Sequence, residues 1–227
     1  MQDFYLFVDT ETSGLPKDWD APYSAETNWP HILQIAWIIF DRNFKEIKRE
    51  NYYVKADGII IDKAAQKIHK LSPEFLETNG EPLEKVMNIF NLDFLAYQPL
   101  VIGHFIELDY HMVNVSLFRL QLPNLFEQAQ FFCTMKASAA FVRNPTIKFL
   151  KLGRFYRILF NAEMDDTHDA LADAEHTAKI FFYLLATQKI SVNSIYAQEH
   201  NFTETFADRR KSFLKRLSKR FFPWIIS

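Results

Sequence analysis

Apolar residues along the chain fall into two rhythms. Residues 4–8, Phe-Tyr-Leu-Phe-Val, form a short aromatic-rich run closed downstream by Gly14 and Pro16, which predicts a buried strand rather than a helix. Residues 32–40 read as a strand buried on both faces. Asp41-Arg42-Asn43 supplies turn chemistry, and residues 47–54 alternate with polar positions, so these two strands should form a hairpin. Short apolar runs at 100–103 and 131–134 predict two further strands. Helical spacing marks residues 62–69, stopped near Ser72-Pro73, then a longer helix opened by Pro82 with Leu83, Val86, Met87 and Phe90 on one side. It returns over 107–120 and on to residue 187, with a break at Asn144-Pro145. Within that stretch Leu171, Ala174, Ala178, Phe181, Phe182 and Leu185 share one face of a helix over 170–185. Strands first, then strands alternating with helices, predict an α/β fold with a mixed five-stranded sheet flanked by helices, its first three strands antiparallel. The loop over residues 13–30 carries Trp19, Tyr23 and Trp29 and is too long for a plain connector, a length that often signals function.

A length of 227 residues suits one domain with an appendage, taken as residues 1–188 and a linker with a basic amphipathic tail over 189–227. The 23 phenylalanines predict an aromatic core. A single cysteine, Cys133, excludes an internal disulfide and a cysteine-built zinc site, and reads as a small buried hydrophobe. With no signal-peptide pattern and no apolar run of membrane-spanning length, a cytoplasmic location is expected. Charge is unevenly placed. The net charge is −2, yet residues 209–227 hold seven basic side chains and no acidic one, which leaves −9 on residues 1–208. Such a body attracts nucleic acid poorly without cations, because affinity for phosphates comes largely from Lys and Arg.

The acids are placed to recruit those cations. Asp9 and Glu11, two apart, share a face if the first strand runs that far; otherwise they start a solvated turn. Asp109 lies just past the strand at 100–103. With Asp169 as an N-cap, His168 sits outside the helix and Asp173 in its first turns, so both can address one point. Carboxylates that converge there repel unless a cation joins them. Oxygen ligation selects Mg²⁺ or Mn²⁺, two of which can clamp the oxygens of a phosphoryl displacement. His168 suits proton abstraction from water. His104, Asp109 and His111 give no clear zinc set, and His176 reads as a solvated or supporting residue.

Three segments carry a resemblance: Val8-Asp9-Thr10-Glu11-Thr12-Ser13-Gly14-Leu15, Gly103-His104-Phe105-Ile106-Glu107-Leu108-Asp109 and His168-Asp169-Ala170-Leu171-Ala172-Asp173-Ala174. They resemble the motifs of the DEDDh exonucleases, the family that includes the proofreading epsilon subunit of bacterial DNA polymerase III. The resemblance implies a ribonuclease H-like fold and a 3′–5′ exonuclease releasing nucleoside 5′-monophosphates. It implies two Mg²⁺ or Mn²⁺ ions held by Asp9, Glu11, Asp109 and Asp173, with His168 as general base. It further implies that Thr12 binds the terminal nucleotide, that Leu15 wedges near its base, and that His69 stands near the substrate, although His69 reads equally as a surface helix histidine. Phe105 departs from the Asn usual in the second motif and reads as core filler in preference to a base-stacking platform.

The expected partners are single-stranded DNA or RNA 3′ ends, with DNA favoured. A basic amphipathic helix over 209–220 could add a polymerase or other protein partner, or grip nucleic acid. An RNA 3′-end trimming enzyme and a non-catalytic binding module are the competing functions.

Overall fold

The computed structural model describes residues 2–126, 129–165, 168–200 and 202. Five strands form one sheet: β1 (Phe4–Thr12), β2 (Ile32–Asp41), β3 (Glu46–Tyr53), β4 (Leu100–Gly103) and β5 (Gln130–Cys133). Their order is β3-β2-β1-β4-β5. The first three strands pair antiparallel, with Phe7 opposite Ile38, while β4 lies parallel to both β1 and β5. This is the mixed sheet expected from the sequence.

Alternation along β1 divides the molecule into two layers. Leu6 and Val8 point into a core built with Trp37, Val86, Phe90, Tyr110 and Val113. That layer is covered by α3 (Leu83–Tyr97) and α4 (Ile106–Arg119). Tyr5 and Phe7 point the other way, against Ala174, Ala178 and Phe181 of α7 (Ala170–Ala186). Period-two side-chain geometry therefore places Asp9 and Glu11 on the α7 face and Thr10 on the α4 face.

Around this frame run α1 (Lys63–His69), α2 (Pro73–Asn79), the four-residue α5 (Thr134–Ala137), α6 (Leu152–Phe160) and α8 (Val192–Tyr196). α1 stops before Ser72-Pro73 as expected, and that pair also begins α2, which the sequence pattern did not predict. The Ser72 hydroxyl accepts the Phe75 N–H and Pro73 occupies the first turn, where its missing N–H costs nothing. The stretch expected to be helical from 135 onward is interrupted more than once: α6 and α7 are separated by residues 161–169, with Asn161 in the left-handed conformation at the C-cap of α6.

Beyond residue 188 the chain keeps packing on the domain. Ile195 enters the α7-side core, the Gln198 side chain bonds both the N–H and the C=O of Cys133, and Phe202 packs against Tyr110 and Phe131. The basic helix expected over 209–220 lies outside the described residues. Among the described residues no helix is long and apolar enough to cross a membrane.

Candidate active site

β1 continues as a strand to Thr12, so Asp9 and Glu11 do project to one side. Facing them, α7 begins behind Asp169, whose carboxylate accepts the N–H groups of Leu171 and Ala172. That cap sets Asp173 in the first turn and leaves His168 just outside, in the left-handed region at φ 67°. The fourth acid comes from the opposite layer. Asp109 stands in the first turn of α4, buried at 3% exposure, and accepts a 2.7 Å hydrogen bond from the Thr10 hydroxyl. Thr10 lies between Asp9 and Glu11 but on the other face of the strand. It thereby ties the helix of one layer to the acids of the other.

Several supporting residues take roles the sequence did not assign. Gly103 ends β4 beneath α4, and a Cβ there would come within 2.7 Å of the Ile106 side chain and 3.3 Å of Asp109 Oδ2. Glycine lets α4 sit this close without displacing the Ile106 side chain. Gln34, buried in β2, donates to Asp169 Oδ2 at 2.8 Å and to Asn51, and accepts the Ala170 N–H at 3.3 Å. It fixes the start of α7. His104 joins Thr134 Oγ1 through Nδ1 and the Leu150 carbonyl through Nε2, each at 3.0 Å. Because a carbonyl only accepts, Nε2 carries the proton and Nδ1 accepts from the hydroxyl. Gly103 and His104 lie in the second of the three motif-like segments, and Gln34 stands out as an isolated polar residue in an apolar run.

The electrostatics of the cluster are those of a cation site. Burial, followed by repulsion from Asp109, Asp173, Glu11 and Asp169, holds the Asp9 carboxyl well above the usual carboxylate range. Burial, then Asp173, Asp109 and Asp169, pushes Glu11 up to about 8. Burial lifts Asp109 to about 7 against the opposing Thr10 hydrogen bond, and lifts Asp173 to about 6 against the His168 backbone. Asp173 Oδ1 is buried and makes no hydrogen bond. One ligand atom each from Glu11, His168 and Asp173 fall within 4.8 Å of one another. The His168 pKa is lowered, first by partial burial and then by Lys151 and Lys70.

The remaining expected residues sort as follows. Thr12 is buried and donates its hydroxyl to the Gly14 carbonyl at 2.7 Å, stiffening the strand exit. Leu15 is 65% exposed and, with Lys17, His31 and Ile60, lines a cavity of about 770 Å³. His69 is not a surface histidine: it is buried at the end of α1, its Nδ1 accepts the Leu71 N–H, and His168 is near enough to help lower its pKa. Nor is Phe105 core filler. It is the half-buried N-cap of α4, held left-handed at φ 70°, with its ring 5.6 Å from Trp19. His111 is buried, stacked on Trp29 and bonded to the Tyr23 hydroxyl, and so forms no zinc set with His104. His176 is buried rather than solvated, donating from Nδ1 to the Ala172 carbonyl.

Comparison with known proteins bears on this geometry directly. A family model described as RNase_T exonuclease matches residues 6–181. The chain belongs to the RNase_T exonuclease family. Its matched span runs from within β1 to within α7 and takes in Asp9, Glu11, Asp109, His168 and Asp173. No curated protein matches this exonuclease in sequence. Among solved structures, E. coli exonuclease I aligns with a TM-score of 0.66 at 19% identity, over 81% of this chain and 41% of that one. The zinc-bound form of the E. coli exonuclease I complex with single-stranded DNA aligns at 0.68 and 19%, over 83% and 41%. A complex of the same enzyme with a dT13 oligonucleotide aligns at 0.65 and 19%, over 81% and 41%. The chain thus spans about two fifths of the solved proteins it matches, and at this identity the likeness establishes a shared fold, the ribonuclease H-like exonuclease fold.

Proposed function

We propose that this exonuclease is a divalent-metal-dependent 3′–5′ enzyme that shortens single-stranded DNA to nucleoside 5′-monophosphates. The observation that supports the reading is the group of Glu11, Asp173 and His168 within ligand distance of one another, with Asp9 and Asp109 near enough to raise the carboxyls of the cluster. The donor set fits a hard cation: four acids raised by their own crowding, one buried carboxylate oxygen without a hydrogen bond, and a histidine within ligand distance of two of them. Asp9, Glu11, Asp109 and Asp173 would hold two Mg²⁺ or Mn²⁺ ions, which supply Lewis acidity and a more acidic water when bound.

The chain's own residues do the rest. Thr10 and Gly103 hold Asp109 in line with the strand acids. Gln34 and the Asp169 cap aim Asp173 and His168. The lowered pKa leaves the His168 imidazole neutral at pH 7, with a ring nitrogen able to take the proton of the attacking water and return it to solvent. Leu15, exposed at the strand exit, is placed to meet the terminal base, and the buried Thr12 holds that exit in shape. The preference for DNA is supported by the dT13 and single-stranded DNA complexes of E. coli exonuclease I.

Paired 3′-end degradation assays on 5′-labelled single-stranded DNA and RNA, with Mg²⁺ and with chelator, test the reading. His168→Ala should cost about 10²–10⁴ in rate and Asp9→Ala should nearly abolish turnover. Chelator-resistant activity, or full activity in His168→Ala, would refute it. Faster degradation of RNA would refute the DNA preference alone.

A further inference from the structure

We infer that the exposed basic face formed by Arg143, Lys148, Lys151, Arg154 and Arg157 binds the phosphodiester backbone of the substrate strand on the 5′ side of the scissile bond. The inference rests on the exonuclease reading and deepens it. In an acidic body, residues 134–162 contain no Asp or Glu, and all five of these side chains are exposed. Arg143, Arg154 and Arg157 line one cavity of about 680 Å³, together with Asn144 and Asn161, whose amides can also meet phosphate oxygens. At the N-cap and along α6, Lys151, Arg154 and Arg157 recur every third residue and are exposed, while Phe155 packs into the core with Ile180 and Leu184 of α7. The charged face is therefore turned outward by the packing of the apolar one.

Two observations join this face to the site. Leu150, immediately before Lys151, gives its carbonyl to His104 at the end of β4, so the first basic residue of α6 is anchored at the sheet edge that carries the acids. Lys151 is also near enough to His168 to help lower its pKa. Among the described residues, Arg143, Lys148, Lys151 and Arg154 make no ion pair, and Arg157 pairs only with the exposed Glu163. Their charge is available to a polyanion. A strand whose 3′ end lies at Asp9 and Asp173 can leave past Lys151 and along α6. A free nucleotide has no phosphate to place there, so the face recognises chain length.

The test measures binding by the full chain, in chelator, of 5′-fluorescent single-stranded DNA of 4 and 20 nucleotides as salt is varied. Arg143→Gln/Arg154→Gln/Arg157→Gln should weaken the 20-mer by about ten-fold or more at low salt and flatten its salt slope by roughly 2, since each single-strand phosphate contact contributes about 0.7. The 4-mer should be unaffected. The corresponding Lys triple variant should keep most of the slope. Arg42→Gln, at the opposite end of the sheet where Asp41 pairs with Phe4, should change nothing. Equal loss on both lengths, or an unchanged slope for the 20-mer, would overturn the inference. Wild-type protein that shows the length dependence but releases no mononucleotide would overturn the exonuclease reading and leave this face standing. A triple variant that degrades the 20-mer with the wild-type KM would do the reverse.

Discussion

Glu11 offers the sharpest test of the crowded-acid site. Its carboxyl is raised from 4.5 to about 8, chiefly by burial and then by Asp173, Asp109 and Asp169. A raised carboxyl is protonated in the fold at a pH where the unfolded chain has already lost the proton. Its stabilisation is therefore complete below pH 4.5 and lost as pH climbs through 8. Buried histidines act in the opposite sense: His31, His104 and His200 are pushed down to about 4 by burial, so stability grows with pH as the unfolded imidazoles discharge. Half of the unfolded imidazoles are still charged at 6.5, so each histidine gains about 0.4 kcal/mol more above it, equally in the wild type and in a Glu11 variant. The informative window is thus pH 6.5 to 8, across which Glu11 alone should cost about 2 kcal/mol, at about 1.4 kcal/mol per pH unit. For a domain of this size, that corresponds to roughly 4–8 °C in Tm. Melting temperatures in chelator should fall more steeply with pH in the wild type than in Glu11→Gln, which keeps the contributions of Asp9 and Asp109 but loses that of Glu11. Saturating Mg²⁺ should reverse the trend, because metal binding requires ionised ligands. An equal slope in the wild type and in Glu11→Gln over the window would refute the account.

Two further substitutions separate site geometry from fold stability. Gly103→Ala forces a Cβ to within 2.7 Å of Ile106 and against Asp109; stability should fall by about 1–3 kcal/mol and kcat by about 10²-fold, read from melts and from degradation at saturating Mg²⁺. Asp93→Ala removes the buried acceptor of Trp37 Nε1 at 2.9 Å and of Lys48 at 2.6 Å; it should cost about 2–3 kcal/mol in melts while leaving kcat unchanged below the melting range, because α3 contributes nothing to the acid cluster.

Local pattern determined most of the secondary structure and the identity of the chemistry-bearing residues. A run of apolar side chains buries itself wherever it lies, and spacing records which face it uses. Hence β1 and its two acids, the hairpin of β2 and β3, and the Asp169 cap that orients His168 and Asp173 were all legible. The helix over 62–69 was legible, but α2 was not, because a Ser-Pro pair that follows one helix also opens the next. For His69 and His176 the sequence left buried and exposed placements open, because exposure is a property of what packs above a helix.

Only the tertiary structure decided how the acids meet. Strand alternation sends Asp9 and Glu11 toward α7, so nothing near them in sequence places Asp109, which arrives on α4 from the other layer and is secured by Thr10 and the space left at Gly103. Gln34 reaches Asp169 across 135 residues, and His104 reaches Leu150 across 46. Such contacts link elements whose sequence separation carries no information about their distance. The outward basic side of α6 is of the same kind: its charges are visible in the sequence, but their turn away from α7 follows from packing alone.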